Sequence, residues 1–306
     1  MELIVDILLG VIIAATPLVF AGIGELVVEK AGVLNLGVEG MMIIGAIAGF
    51  ATTIATGSLT AGVLAAMLAG AMLALVFALL TLMLLANQVA TGLALTLFGL
   101  GLSALLGQAY SGQSTGAMPR LHIPGLSDLP GVGRLVFSLD PLVYLSLALT
   151  AGVAWFLYRT RPGLVLRAIG ENHDAAHAIG YPVVACRGLA LLFGGACAGV
   201  GGAYLSLVQT PLWVERMTAG RGWIALALVV FAAWRPWRAL LGAYLFGGIT
   251  ILQLHSQAFG LGIDAQVLSM LPYLATILVL VAISRDASAA RLNAPACLGK
   301  PFYAAG

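Results

Sequence analysis

The sequence predicts an all-α fold, a polytopic transmembrane helical bundle, and three observations carry that expectation. Of the 306 residues, 61% are hydrophobic and only 8% are charged, against about 25% charged in soluble domains. About nine apolar runs punctuate the chain, most of them long enough to cross a hydrocarbon core as helix. The 39 glycines and 12 prolines suit closely packed and interrupted helices. A water-soluble globule with so few charges has no means of covering its surface. Soluble enzymes, nucleic-acid binders and disordered chains are thereby excluded, and a lipid bilayer is the expected surrounding.

The runs lie near 3–24, 36–56, 59–86, 89–107, 139–158, 188–209, 222–234, 237–255 and 267–284, giving about 8–10 spans in a single transmembrane domain over 1–306. No basic segment precedes the first run, which is longer than the apolar core of a cleaved leader, so it reads as a retained span. The run at 59–86 exceeds what a bilayer requires and is expected to tilt or bend. The run at 222–234 is too short to cross alone and reads as half of a broken helix. Cys186, Cys197 and Cys297 form an odd set without metal-type spacing, so no disulfide framework is expected.

Basic residues orient the bundle. The densest cluster lies in RTRPGLVLRAIGENHDAAHAIGYPVVACR, residues 159–187. With that loop in the cytoplasm, Lys30, Arg159, Arg161, Arg167, Arg187, Arg235, Arg238, Arg285, Arg291 and Lys300 fall inside. Arg120, Arg134, Arg216 and Arg221 fall outside, a split of ten to four. The 285–306 tail is then cytoplasmic. The longest external loop, 108–138, is rich in Gly, Pro and Ser and is either disordered or a surface for an extracytoplasmic partner.

Polar residues that interrupt the apolar runs are the candidate functional groups. In GELVVEKAGVLNLGVEGMMIIGA, residues 24–46, Asn35 and Glu39 are four apart and share a helix face. Glu39 lies inside an apolar run, where an ionisable group costs about 3 kcal/mol unless it meets a partner or water. It either lines a solute path or is hydrogen-bonded to a neighbouring helix. Asn87, Gln88 and Thr91 cluster at the cytoplasmic mouth of the fourth span, as path groups for an uncharged solute or as a helix cap. Gln209, Gln253 and His255 lie near external span ends, with the same two readings. His173 and His177, four apart, read as solvated histidines rather than metal ligands.

Within the 159–187 loop, Arg161-Pro162-Gly163 ends the preceding span. Glu171 or Asn172 then starts a helix of two or three turns that closes at Gly180. A capped helix tethered at both ends to spans is suited to pass a push from a soluble partner into the membrane. The chain holds no G-x-x-x-x-G-K-[ST] and no H-E-x-x-H, so it carries neither a P-loop nor a zinc-protease motif.

These segments resemble a known family. EKAGVLNLGVEGMMIIGA resembles the signature near the N-terminus of permease subunits of ABC importers in the ribose, nucleoside and branched-chain amino acid group. TRPGLVLRAIGENHDAAHAIGYPV is similar to that group's coupling segment, its pattern falling on Thr160, Gly163, Arg167, Ala168, Gly170, Asn172, Ala175, Ala176 and Gly180, with Glu171 inside it. MLPYLATILVLV and PACLGKPFYA are similar to the C-terminal end of nucleoside-type members. One departure is WRPWRALLGAYLFGG at 234–248, where members often carry a smaller, more apolar run, often with Asn or Lys rather than Trp.

The resemblance implies a permease fold like that of the vitamin B12 importers, in a bacterial inner membrane, with coupling to an ATPase through Arg167, Gly170, Glu171, Asn172, Ala175, Ala176 and Gly180. It implies an ATP-binding subunit, often with two fused ATPase domains, which holds ATP and Mg; this chain itself would carry no cofactor and catalyse no reaction. It also implies a second, non-identical permease and an extracytoplasmic substrate-binding protein or lipoprotein. The solute expected is a nucleoside, with a ribose-type sugar as the alternative and amino acids third. The rival class, an ion-coupled secondary transporter, usually buries several ionisable groups near midplane, whereas Glu39 alone is expected there. A scaffold without transport is the third reading.

Overall fold

The computed structural model describes residues 2–303 except 117, 122–123, 126, 128–131 and the stretch 259–292, of which Val267, Met270, Leu274, Ile277 and Val281 are described. The helices are α1 (Glu2–Lys30), α2 (Val38–Thr56), α3 (Leu59–Ala78), α4 (Gln88–Gly107), α5 (Val132–Val136), α6 (Pro141–Arg159), α7 (Arg161–Glu171), α8 (His173–Ala178), α9 (Val183–Tyr204), α10 (Arg221–Phe231) and α11 (Pro236–Ala258). α3 and α9 each run on into a wide π turn, Leu79–Met83 and Leu205–Gln209. Seven of these helical segments are long and apolar enough to cross a membrane. They fall on the predicted runs. The last run, 267–284, lies outside the described residues but for its five scattered positions.

Local chemistry explains the boundaries. Asn87, Asp140, Thr160 and Asn172 each accept a backbone N–H in the first turn of the helix they precede. α1 ends in a Schellman turn: Gly32, at φ +87°, donates to Glu29 O, and Val33 donates to Val28 O. α10 ends similarly, with Ala233 and Trp234 at φ +48° and +54° donating to Val230 O and Val229 O. Neither residue is glycine, so that turn is held against a backbone cost of about 1–2 kcal/mol per residue.

α2, α3 and α9 form the tightest part of the bundle. Gly45 lies against Gly199, Gly70 against Gly195 and Gly199, and Gly202 against the Met42 carbonyl. A Cβ at Gly199 would run into the Ala66 carbonyl, so only glycine lets these backbones meet. Outward faces are apolar instead: Leu68, Met72, Leu97, Trp155, Leu189 and Leu241 are all exposed. In a soluble protein such a surface would aggregate; in lipid it is the ordinary solvent-facing side.

The two ends differ in charge. Lys30, Arg167, Arg187, Arg235 and Lys300 gather at one end, near Glu171 and His173. At the opposite end Arg134 pairs with Asp6 at 3.1 Å. The described part of 108–138 is folded onto that end: Thr115 donates to Pro211 O, Ser114 bridges to Leu212, and Leu121 donates to Leu139 O. Arg221 is half-buried as the first residue of α10.

Candidate functional site

Inside the bundle the chain makes a polar node around the connector between α1 and α2. After Gly32 the connector doubles back along α1. Asn35, fully buried, donates its backbone N–H to Glu25 Oε1 at 3.2 Å and its side-chain Nδ2 to Glu25 Oε2 at 3.4 Å. Its Oδ1 accepts from Gly37 N at 3.0 Å. From the other side α4 serves the same connector: Gln88 Oε1 accepts from Leu34 N at 2.8 Å, and Thr96 donates to Leu36 O at 3.1 Å. Irregular backbone at membrane depth is tolerated when protein groups satisfy it in this way.

Glu39, in the first turn of α2, serves another break. Its Oε1 accepts from Thr218 Oγ1 at 2.5 Å and Gly220 N at 2.9 Å, and its Oε2 accepts from Gly222 N at 2.6 Å. These donors open α10, whose 11 residues rise about 17 Å, half of a hydrocarbon core. The carboxylate therefore caps a half-helix from a different helix, at the end where the helix dipole favours negative charge. Gly222 packs directly on the Glu39 backbone, a Cβ there falling 2.6 Å from Glu39 Cα. The half-helix expected at 222–234 is thus present.

The far end of α10 is held by a third carboxylate. Trp234 Nε1 donates to Glu29 Oε2 at 2.6 Å, and Trp234 is itself buried. The tryptophan that departs from the family pattern is therefore a fixed anchor between α10 and α1. Glu25 and Glu29, one turn apart on α1, were missed by the sequence reading because the first apolar run was ended at residue 24. The helix in fact continues to Lys30 with both carboxylates buried. The signal available was their i, i+4 spacing, which puts them on one face.

The other candidates are dispersed. Asn87 is exposed and caps α4 through Ala90 N at 3.0 Å. Gln88 and Thr91 are buried one helical turn apart, and Gln88 Nε2 has no partner among the described residues. Gln209 ends the π turn after α9, with its Oε1 buried and unpartnered among those residues. An apolar cleft of about 420 Å³ between α1, α6, α7 and α9, lined by Val27, Leu149, Val153, Phe156 and Phe193, offers a polar solute almost no hydrogen-bonding group.

At the basic end the 159–187 segment forms two helices where one was expected. Thr160 and Pro162 start α7 directly after α6, as a cap and an early-turn proline. Asn172 caps α8, accepting from Ala175 N at 3.0 Å, and the turn closes with Gly180 at φ +93°. α8 itself is only six residues, shorter than the two or three turns expected. Glu171, Asn172, Ala175 and Gly180 are exposed, whereas Gly170 and Ala176 are buried. Gly170 lies under the Lys30 carbonyl, and its own carbonyl accepts from Cys297 N at 2.9 Å. Ala176 packs with Ile169, Val183 and Phe302. Arg167 stands over the Tyr158 ring at 5.2 Å. His173 is buried and His177 exposed, and both rings meet Phe302 edge-on at 5.3 and 5.2 Å.

Broken helices satisfied by buried polar side chains, apolar outer faces and one end rich in basic residues define a multi-pass membrane protein. The sequence model for the branched-chain amino acid transport system / permease component family matches residues 7–282, and the chain belongs to that family. It is similar to a putative glucose ABC transporter permease protein of Haloferax volcanii, 42% identical with 93% of each chain covered. It is also similar to a nucleoside ABC transporter permease protein of Lactococcus lactis, 33% identical with 90% of each covered. A guanosine ABC transporter permease protein of Bacillus subtilis is 30% identical, covering 92% of this chain and 93% of that one. The chain is accordingly an ABC transporter permease subunit, a transport component rather than an enzyme.

Proposed function

We propose that the chain forms half of the membrane pathway of an ATP-driven importer for a small, uncharged solute bearing a sugar ring. The observation that carries this reading is the α7–α8 segment at the basic end: Glu171, Asn172, Ala175 and Gly180 face outward while Gly170 and Ala176 are buried beneath them. That is the build of a docking element for an ATP-binding subunit, which would hold ATP and Mg. The basic end then faces the cytoplasm, with the C-terminal tail, in the cytoplasmic membrane of the cell. A second permease subunit completes the path, and the described part of 108–138, packed on the opposite end, receives an extracytoplasmic binding protein. Asn35, Glu39, Gln88, Thr91 and Gln209 shape the path, with Gln88 Nε2 and Gln209 Oε1, which have no partner among the described residues, as its free polar atoms, and Asn87 at its mouth.

Two solute classes share this chemistry. A monosaccharide comes first, because the relative at 42% identity is named for glucose. A nucleoside is the second reading, favoured by the two relatives named for nucleoside and guanosine. The test is uptake of labelled glucose and labelled guanosine by cells expressing the complete importer, each competed by the other unlabelled. Uptake of either that stops when ATP hydrolysis is blocked supports the importer. Uptake that survives this block and collapses with the ion gradient overturns it in favour of a secondary transporter.

A further inference from the structure

Arg187, the fourth residue from the start of α9 counted after Val183, is fully buried. No carboxylate lies within ion-pair distance of it among the described residues. Taking a guanidinium out of water without a counter-ion is costly unless its N–H groups are all used. Here they join three separate parts of the chain. Nε donates to Ala31 O at 3.0 Å, Nη1 donates to Lys300 O at 3.3 Å, and Nη2 meets His173 Nδ1 at 2.9 Å. Ala31 follows the last residue of α1, His173 is the first residue of α8, and Lys300 belongs to the C-terminal tail.

We propose that Arg187 is a positioning residue that carries movement of the docking helix α8 into the end of α1. The proposal rests on the reading that 171–180 receives the ATP-binding subunit. A guanidinium is a rigid planar fork, so its donors keep fixed relative positions in a way a lysine's ammonium does not. Ala31 O is one of the free carbonyls at the negative end of a 29-residue helix, which a cation holds well. The tail braces the same junction: Gly299 N donates to Gly32 O at 3.2 Å, Cys297 N to Gly170 O at 2.9 Å, and Lys30 Nζ to Asn293 O at 2.7 Å. Displacing α8 therefore either pulls α1 or breaks these bonds. α1 in turn carries Glu25, which holds the connector through Asn35, and Glu29, which holds α10 through Trp234. The contacts form one continuous line from the docking surface to both broken elements.

The test uses the importer assembled with its ATP-binding and second permease subunits in proteoliposomes, reading ATP hydrolysis alongside uptake of labelled glucose and guanosine. R187M and H173F are expected to keep hydrolysis within about twofold of the parent while uptake falls about tenfold or more. R187K, with the charge but not the fork, is expected to lie between. Parental uptake in either R187M or H173F overturns the proposal, as does hydrolysis that falls in step with uptake. Should R187M not insert, H173F decides alone, since phenylalanine preserves the ring against Phe302. A175W, on the exposed face of α8, separates the two readings. If A175W releases the ATP-binding subunit while R187M and H173F stay coupled, Arg187 alone is misassigned; if A175W leaves the complex intact, the docking assignment fails with it.

Discussion

Trp234 donates its indole N–H to Glu29 at 2.6 Å, tying the exit of the half-helix α10 to the last turn of α1. Glu39 closes the opposite end of that half-helix. A short helix that cannot cross a bilayer alone is thus suspended between two buried carboxylates from one stretch of sequence.

Removing the tryptophan's donor should loosen that suspension. W234F keeps most of the ring volume but leaves the Glu29 carboxyl without its hydrogen bond, worth about 1 kcal/mol. A lower thermal midpoint of the detergent-purified protein than the parent's is expected, with expression unchanged. An unchanged midpoint would show that water or another group replaces the indole.

Glu39 should be more sensitive than any other single side chain of the node. E39A strips partners from Thr218, Gly220 and Gly222 together, an expected loss of about 3 kcal/mol or more, less than three separate bonds would sum to. E39Q keeps an acceptor and should retain part of the stability. The thermal midpoints of both variants and their solute uptake measure this. A fully active, fully stable E39A would contradict the cap.

Acid should weaken the base of the bundle through His173. Burial, and then the Arg187 guanidinium, hold its pKa below the ordinary value of about 6.5. Lys300 acts in the same direction, while Asp174, 3.6 Å from Nε2, partly opposes them. The folded protein therefore prefers the neutral ring, and the stability tied to this residue is full above about pH 6.5 and is lost as pH falls below that value. Thermal midpoints between about pH 7.5 and about pH 5.5 should drop more for the parent than for H173F. Equal drops would remove His173 from the account.

Bulk at the buried positions beneath the proposed docking surface should uncouple transport. A176W would have to displace Ile169, Val183 or Phe302, and a side chain at Gly170 would strike the Lys30 carbonyl. A176W and G170L are expected to insert, because both substituted positions lie outside the spans, and to lose uptake by about tenfold or more while ATP hydrolysis continues. Uptake at the parental rate would place coupling elsewhere.

Much of this architecture was legible in the sequence. Apolar runs located the spans because lipid imposes one length and one polarity on every crossing. Asn172 and Gly180 announced the α8 turn through their capping chemistry, and the short run near 222 announced a broken helix. The buried carboxylates of α1 were only half legible: their i, i+4 spacing puts Glu25 and Glu29 on one face, but nothing local says what covers that face. What keeps them inside is Asn35, returned by a turn at Gly32, and Trp234, some 200 residues away. Arg187 was equally hidden: its place among loop arginines suggested a solvated charge, whereas its burial depends on Ala31, Lys300 and His173 closing around it. Hydropathy reports the solvent of a segment. It does not report a partner from a distant part of the chain.

The glycine contacts among α2, α3 and α9 set where this subunit can change at all. With backbones touching at Gly45, Gly70 and Gly199, one added methyl group on that seam forces two whole helices apart. Variation and movement alike are thereby directed outward, to the membrane-facing leucines and to the suspended segments at either side. The middle of the protein acts as a keel, and an importer built on it would work by tilting parts around a line that does not yield.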